Sequence, residues 1–324
     1  MKKKRRKKKS GLNRVLGLLL ALALLAAGAF LAYWFIDVPS GGISISIPGI
    51  GGASERDFAV YFVDVGQGDA AVVVCDGKTL VIDGGTDEGG DALCTYLRNT
   101  LQPAQIDYMI ATHPHADHIG GLPDVLKAYT VKKLYSPVDV YDSRTFERMA
   151  QYAADQGLSI TVAQAGQSFS LGRAKVEFLA PLGIYDDIND ISLVAKVTFG
   201  ETTFLFTGDA ERPSEQDMAD SDEDLSATVL KVGHHGSAGS TGYVFLREVM
   251  PDDAVISVGT DNSYGHPTEA ALSRLRDADA QVFRTDLQGV IHAVSDGRNV
   301  TFETERSATE AQLNPTIRDA AEVY

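Results

Sequence analysis

The sequence predicts an α/β (α+β) fold of two β-sheets with helices on their outer faces. Three observations predict it. Short β-rich runs recur through residues 57–306. The early runs are joined by Gly-bearing turns, as hairpins are, and the later runs alternate with helical periodicity, as strand–helix units do.

In order, Phe58–Val65, Ala70–Cys75 and Lys78–Asp83 read as strands, and Asp91–Leu101 as a helix. Asp107–Thr112 is a buried strand, Leu122–Tyr129 a helix, Val131–Tyr135 a strand and Arg144–Gln156 a helix, with strands at Ser159–Ala163 and Lys175–Leu179 following. A hairpin turned by Gly200-Glu201 opens the second set, pairing Leu193–Phe199 with Thr202–Thr207. Strands at Thr228–Val232, Ala254–Ser257, Gln281–Arg284, Val290–Ser295 and Val300–Glu305 complete it, with helices at Tyr243–Val249 and Glu269–Asp277. The polar tail 307–324 has little to pack and is expected to be poorly ordered.

The N-terminus reads as an anchor. Residues 1–14 carry nine Lys or Arg and no acid, and from Val15 to Ile36 the chain is apolar or small apart from the amphipathic Tyr33 and Trp34. At about 1.5 Å per residue this run crosses a hydrocarbon core of about 30 Å. The basic cluster belongs on the cytoplasmic side, which predicts a single-pass membrane protein whose bulk is extracytoplasmic. A cleaved signal peptide competes with this, since Ala26, Ala27 and Ala29 offer small residues. The apolar run continues through Phe35, which favours a retained anchor. Residues 37–56 then form a Gly/Ser/Pro-bearing linker.

Removing those nine cations from the 29 basic residues leaves 20 against 44 acidic ones, a net charge of −24. Such a domain repels polyanions at long range, which counts against a DNA-coating protein but not against an enzyme whose cations act locally. Cys75 and Cys94 form no C-x-x-C pair; a disulfide and two small buried side chains are both open readings.

The decisive segment is Thr112-His113-Pro114-His115-Ala116-Asp117-His118-Ile119-Gly120-Gly121, directly after a buried strand. Three imidazoles and a carboxylate within six residues would repel or stay unpaired without a cation, so the pattern points to metal binding. Further groups must come from afar. Asp209 ends the strand Phe204–Thr207 through Gly208, His234 and His235 follow Leu230–Val232, and His266 lies in Tyr264-Gly265-His266-Pro267. Only His292 stands apart, within a strand, where it reads as structural.

His113-x-His115-x-Asp117-His118 resembles the signature of the metallo-β-lactamase superfamily. Phe62–Ala70, Ile82–Gly85, Leu230–Ser237 and Tyr264–Pro267 narrow the resemblance to the ComEC-type hydrolase domain of competence DNA-uptake proteins and its stand-alone relatives, over 57–305. The resemblance implies a four-layer αββα sandwich behind one transmembrane helix, with metals at one edge between the sheets. It assigns His113 and His115 to one metal and Asp117 and His118 to a second, with Asp209 bridging and His234 or His235 completing the second site. Neighbouring strand residues point to opposite faces, so one of this pair binds metal and the other faces substrate, in an order left open. Asp64, Asp69 and Asp83 are expected in the supporting layer, with Asp69 and Asp83 orienting imidazoles. Gly66, Gly68, Gly84 and Gly85 let the backbone come close.

Many members of that superfamily carry a further His before the bridging Asp. Here Asn189-Asp190-Ile191-Ser192 has none, so the first site, that of His113 and His115, is expected to be weaker, open to Asp190 or water, or empty until substrate binds. One or two divalent ions are expected, with zinc favoured and manganese the alternative. The expected chemistry is hydrolysis by water that the cation acidifies, with Asp117 holding the nucleophile in line and His266 and His235 or His234 stabilising developing charge. A phosphodiester in DNA or in an envelope polymer is the expected substrate. An ester, thioester or lactam hydrolase and a silent envelope binding protein are the alternatives.

Overall fold

The computed structural model describes residues 57–315. The basic segment 1–14, the apolar run 15–36, the linker 37–56 and residues 316–324 lie outside the described residues. Among the described residues no helix is long and apolar enough to cross a membrane.

Among the described residues, fifteen strands form two sheets. The first contains β1 (Phe58–Phe62), β2 (Ala71–Cys75), β3 (Lys78–Ile82), β4 (Tyr108–Ile110), β5 (Leu134–Ser136), β6 (Ile160–Val162), β14 (Ile291–Ser295) and β15 (Val300–Thr304), in the order β15-β14-β1-β2-β3-β4-β5-β6. The second contains β7 (Ser168–Leu171), β8 (Ala174–Ala180), β9 (Val194–Phe199), β10 (Thr202–Phe206), β11 (Val229–Lys231), β12 (Asp253–Ile256) and β13 (Gln281–Arg284), in the order β13-β12-β11-β10-β9-β8-β7. Each sheet has an antiparallel part and a parallel part: β3–β6 run parallel in the first and β10–β13 in the second. Parallel strands need crossovers, and the helices supply them.

Period-2 side chains divide the interior into layers. Phe58, Val60 and Phe62 of β1 meet Phe204 and Phe206 of β10 and Val197 of β9 between the sheets. The alternate residues Ala59, Tyr61, Val72 and Val81 pack outward beneath α1 (Gly89–Tyr96), α3 (Leu122–Ala128) and α4 (Arg144–Asp155). On the other side Val194, Leu205 and Leu230 pack beneath α5 (Arg212–Ala219), α6 (Tyr243–Val249) and α7 (Glu269–Asp277). The architecture is therefore α/β, with two sheets between two helical layers.

Several elements differ from the sequence reading. The helix expected over Asp91–Leu101 is α1 followed by a π-helical turn at Leu97–Leu101, which ends on Gln102 at φ 48° because Pro103 cannot continue it. β7 was not foreseen: it is a four-residue edge strand with exposed Ser168 and Ser170, and so lacks an apolar run. α5 hides its periodicity because it buries Ser214 and Glu215 beside Met218. The tail is not wholly unpacked. Thr309 and Gln312 form a capping box on the short helix Glu310–Leu313, and Leu313 is buried. Of the two open readings of the cysteines, that of small buried side chains is the one found: both thiols are free, with Cys75 in the core between the sheets and Cys94 in the core beneath α1, across the first sheet.

Candidate metal centre

Strand ends from both sheets meet at one edge, where Leu193 N–H donates to Thr112 O across the sheets and His234 N–H donates to Gly208 O within the second. After β3, Asp83 sits at φ 58° and accepts Thr112 N–H at 2.8 Å and the Thr112 hydroxyl at 2.6 Å. This grip holds the chain leaving β4, which continues through His113 to His115 and enters the short helix α2 (Ala116–Ile119). His118 and His113 are wholly buried, while Asp117 reaches the surface of a cleft. Gly68, at φ +117°, passes so close beneath that a Cβ there would lie 2.0 Å from the Asp117 carbonyl oxygen.

From the second sheet, Asp209 follows β10 and is buried. His234 and His235 follow β11, but not as strand residues. They occupy a 3-10 turn, Gly233–Gly236, with φ of 47° and 52°. The strand-alternation argument is thus replaced by a left-handed turn, which sets the two rings 77° apart. His235 points inward and is buried. His234 stays partly exposed, its Nδ1 2.8 Å from Glu211 Oε1.

The ligand atoms of Asp117, His118, Asp209 and His235 all lie within 4.8 Å of one another. His118 Nε2 is 3.1 Å from Asp209 Oδ1, and His235 Nε2 is 3.3 Å from Asp117 Oδ2. Yet His113 Nε2, His118 Nε2, His235 Nε2 and Asp209 Oδ1 are buried without an aligned hydrogen bond. Each such orphan costs about 1–3 kcal/mol. Four converging on one place is poor design for a core and good design for a cation, so the donor set fits a divalent metal.

Outer partners orient the rings. His118 Nδ1 lies 2.8 Å from Asp83 Oδ2. His235 Nδ1 lies 3.0 Å from the Ser257 carbonyl oxygen and 3.1 Å from Asp69 Oδ1. Asp69 Oδ2 in turn receives the buried Lys231 ammonium at 2.8 Å. Supports of this kind select the tautomer and leave the other ring nitrogen free for metal.

Burial and neighbouring charge compete here. Burial, helped by the charge on His118, holds His113 well below the usual histidine range. For His118 burial acts downward, but Asp209 and Asp83 outweigh it and hold the ring well above that range. His235 behaves alike: against burial, Asp209 and Asp69 push it up to about 9. Burial opposes ionisation of Asp209 too, but His118 and His235 hold its carboxyl well below the usual range. Burial, with the charge on Asp69, raises Asp83 against the downward pull of His118. Imidazoles that take up protons to balance carboxylates surrender them when a metal ion supplies the charge instead.

The remaining expected residues fall in different places. His115 lines the cleft, with its ring edge-on to His113 at 4.8 Å. His266 lies on the opposite wall, clamped through its backbone by Asn262, with its ring 5.6 Å from His234 and stacked on Tyr264. Asp64 departs from expectation: it accepts Gly66 N–H and pairs with Arg306, and no contact ties it to an imidazole. Asp190 does not open toward the cleft either. Its carboxylate accepts Glu211 N–H and Ser214 N–H at the start of α5. His292 stacks on Tyr61 away from the cleft.

Sequence reasoning missed Lys231, Glu211, Gln67 and Ser257. A lysine inside the apolar run Leu230–Val232 was a usable signal, since such a residue is buried only with a partner; Glu211 carried none. The cleft holds about 310 Å³. A larger groove of about 630 Å³ between β13 and the tail helix shares none of these residues and has no converging ligand set.

Residues 63–260 match the family described as Metallo-beta-lactamase superfamily. ComE operon protein 3 of Bacillus subtilis is 32% identical over 262 residues, 75% of this chain and 34% of that protein. Competence protein ComA of Neisseria gonorrhoeae is 29% identical, covering 83% of this chain and 36% of that one. Recombination protein 2 of Haemophilus influenzae is 30% identical, covering 74% and 29%. The chain thus spans about a third of the length of these relatives. With the sandwich, the clustered ligands and the match over most of the domain in agreement, this chain belongs to the metallo-beta-lactamase superfamily of metal-dependent hydrolases and is similar to the ComEC-like competence proteins.

Proposed function

We propose that the protein is a membrane-anchored phosphodiesterase or nuclease-like hydrolase whose catalytic domain is extracytoplasmic. The observation that carries the hydrolytic part is the set of four converging ligand groups, Asp117, His118, Asp209 and His235, beside a cleft that Asp117, Asp209 and His235 line. Two imidazoles and two carboxylates suit zinc, and the carboxylates also suit manganese. Asp117, His118, Asp209 and His235 would hold the cation, which would supply acidified water and polarisation of a phosphoryl oxygen. Asp117, which His235 and His118 keep ionised against burial, faces the cleft and is placed to hold the attacking water in line. Burial, with His234 and His235 nearby, keeps His266 below the usual histidine range, so it works as a neutral hydrogen-bond donor to charge developing on the substrate.

The relatives' names speak of competence and recombination, which supports a nucleic-acid phosphodiester over an ester or lactam. The basic 1–14 and apolar 15–36 segments support the anchor and its orientation.

Chromogenic phosphodiester, ester and lactam substrates, each run with zinc and with manganese, test the chemistry. Phosphodiester turnover that is lost in Asp209→Asn and impaired in His266→Ala with metal content retained is the expected result. Turnover of only the ester or lactam, or of none with metal bound, rules the reading out. Fractionation of cells should place the intact chain with membranes, and a shortened soluble product would remove the anchor.

A further inference from the structure

The cleft beside the ligand cluster is poor in permanent positive charge. None of its lining residues is Lys or Arg, and outside residues 1–14 the chain is strongly acidic. A groove that follows a nucleic acid by its phosphates needs a basic lining. A strand bound here has to be gripped through another part of the nucleotide.

Tyr264 offers that grip. It stands in the loop between β12 and α7, lines the cleft and is 67% exposed. One face of its ring lies on His266, with centroids 5.8 Å apart and planes 25° from parallel. His266 in turn meets His234 edge-on at 5.6 Å. The aromatic row thus leads outward from the ligand cluster and ends on an open phenol ring. A single exposed aromatic residue is ordinary on a protein surface, but this one sits in a braced turn. Asn262 Nδ2 donates to Gly259 O at 3.1 Å and to His266 O at 2.7 Å, while Asn262 Oδ1 accepts His266 N–H at 3.0 Å. A ring held in this way gives up little freedom when another ring stacks on it.

Two carboxamides in the same cleft have atoms to spare. Asn189 is buried, and its Oδ1 has no hydrogen-bond partner. Gln67 accepts Gly259 N–H through Oε1, but its Nε2 is buried without a partner. Buried polar atoms of this kind call for a ligand or a water. A phosphodiester has no proton to donate, so it cannot serve Asn189 Oδ1. The edge of a nucleobase carries donors and acceptors together.

We propose that Tyr264 is the stacking platform for an unpaired nucleobase next to the scissile phosphodiester. The inference rests on the phosphodiesterase reading of this cleft and narrows its substrate to single-stranded nucleic acid, because a base in a duplex has both faces covered by its neighbours.

The test uses the full chain loaded with zinc, with folding verified by circular dichroism and metal content measured for each variant. A short single strand of thymidine is compared with the same phosphodiester backbone carrying abasic tetrahydrofuran residues. The wild type should show a KM about tenfold lower for the strand with bases. Tyr264→Ala should remove that advantage with kcat and bound zinc little changed, and Tyr264→Phe, which keeps the ring, should retain it. The fluorescence of 2-aminopurine deoxyriboside 5′-monophosphate, which has no diester to hydrolyse, should be quenched by the wild type and by Tyr264→Phe but not by Tyr264→Ala. Equal KM values for the two strands, an advantage that survives in Tyr264→Ala, or a duplex cleaved as fast as its single strand would overturn the platform and leave the phosphodiesterase standing. If neither strand is cleaved, the nucleic-acid reading falls, and the quenching alone decides whether Tyr264 binds a base.

Discussion

The loop after β4 and the loop after β11 both deliver imidazoles to Asp209, but they are held by different forces. The first, from His113 to Gly121, is locked by close backbone packing. Gly84 N–H donates to His118 O at 2.7 Å and Gly121 N–H to Gly85 O at 3.1 Å. A Cβ added to Gly121 would stand 2.1 Å from Gly84 O. The second, which runs past His234 and His235 to Gly242, is held beyond its imidazoles by buried charged groups from distant helices. Glu215 of α5 accepts the N–H groups of Thr241 and Gly242. Arg274 of α7 donates to Ser240 O and Thr241 O, each at 2.7 Å. Backbone packing has no protonation state, whereas an ionic clamp has one. The comparison teaches that the half of the site nearer His234 is the half that pH and remote substitutions can loosen.

The largest expected effect is on the first loop. Gly121→Ala meets backbone on both sides and cannot be relieved by a rotamer change, so it should cost about 3 kcal/mol or more in denaturant unfolding. A variant of wild-type stability would show that this loop yields, and the contrast would fail.

Next comes the pH response of the second loop. Burial pushes the Glu215 carboxyl up from 4.5 to about 7 despite the two backbone donors. The folded protein then holds more protons than the unfolded chain between those values. Glu215 therefore favours folding below 4.5, and that contribution is lost as pH rises through about 7. Measured as the difference in unfolding free energy between the wild type and Glu215→Gln, the loss should be about 2–3 kcal/mol across that window. A flat difference would mean that Arg274 fully neutralises the carboxylate, making the two loops equally insensitive.

The smallest effect sharpens the comparison. Thr268 caps α7 by accepting Ala271 N–H and also donates its hydroxyl to Gly236 O. Thr268→Ala should cost about 1 kcal/mol. If the second loop is the compliant one, zinc release from the variant should also quicken. Unchanged release would confine Thr268 to helix capping.

This difference explains what was legible. The loop after β4 could be read directly because its ligands and the glycines that let it pack are contiguous, His113 to Gly121. The two sheets could be read because the short β-rich apolar runs of β1, β2, β9 and β10, bounded by turns, are a local signal. The clamp on the loop after β11 could not be read: Glu215 and Arg274 look like ordinary helix-surface charges until folding buries them. β7 and α5 were missed for the same reason, since their polar residues find partners or solvent only in three dimensions.

By itself the sequence determined the chemistry of the ligand set, because residue type and local spacing specify which atoms can bind a cation. Only tertiary structure decided which oxygen of Asp209 each imidazole faces, that His234 and His235 diverge through a left-handed turn, and that Asp64 and Asp190 serve elsewhere. Those outcomes depend on the directions of side chains from different strand ends that meet only after folding. Such directions are set when two sheets dock, and no stretch of either sheet alone contains them.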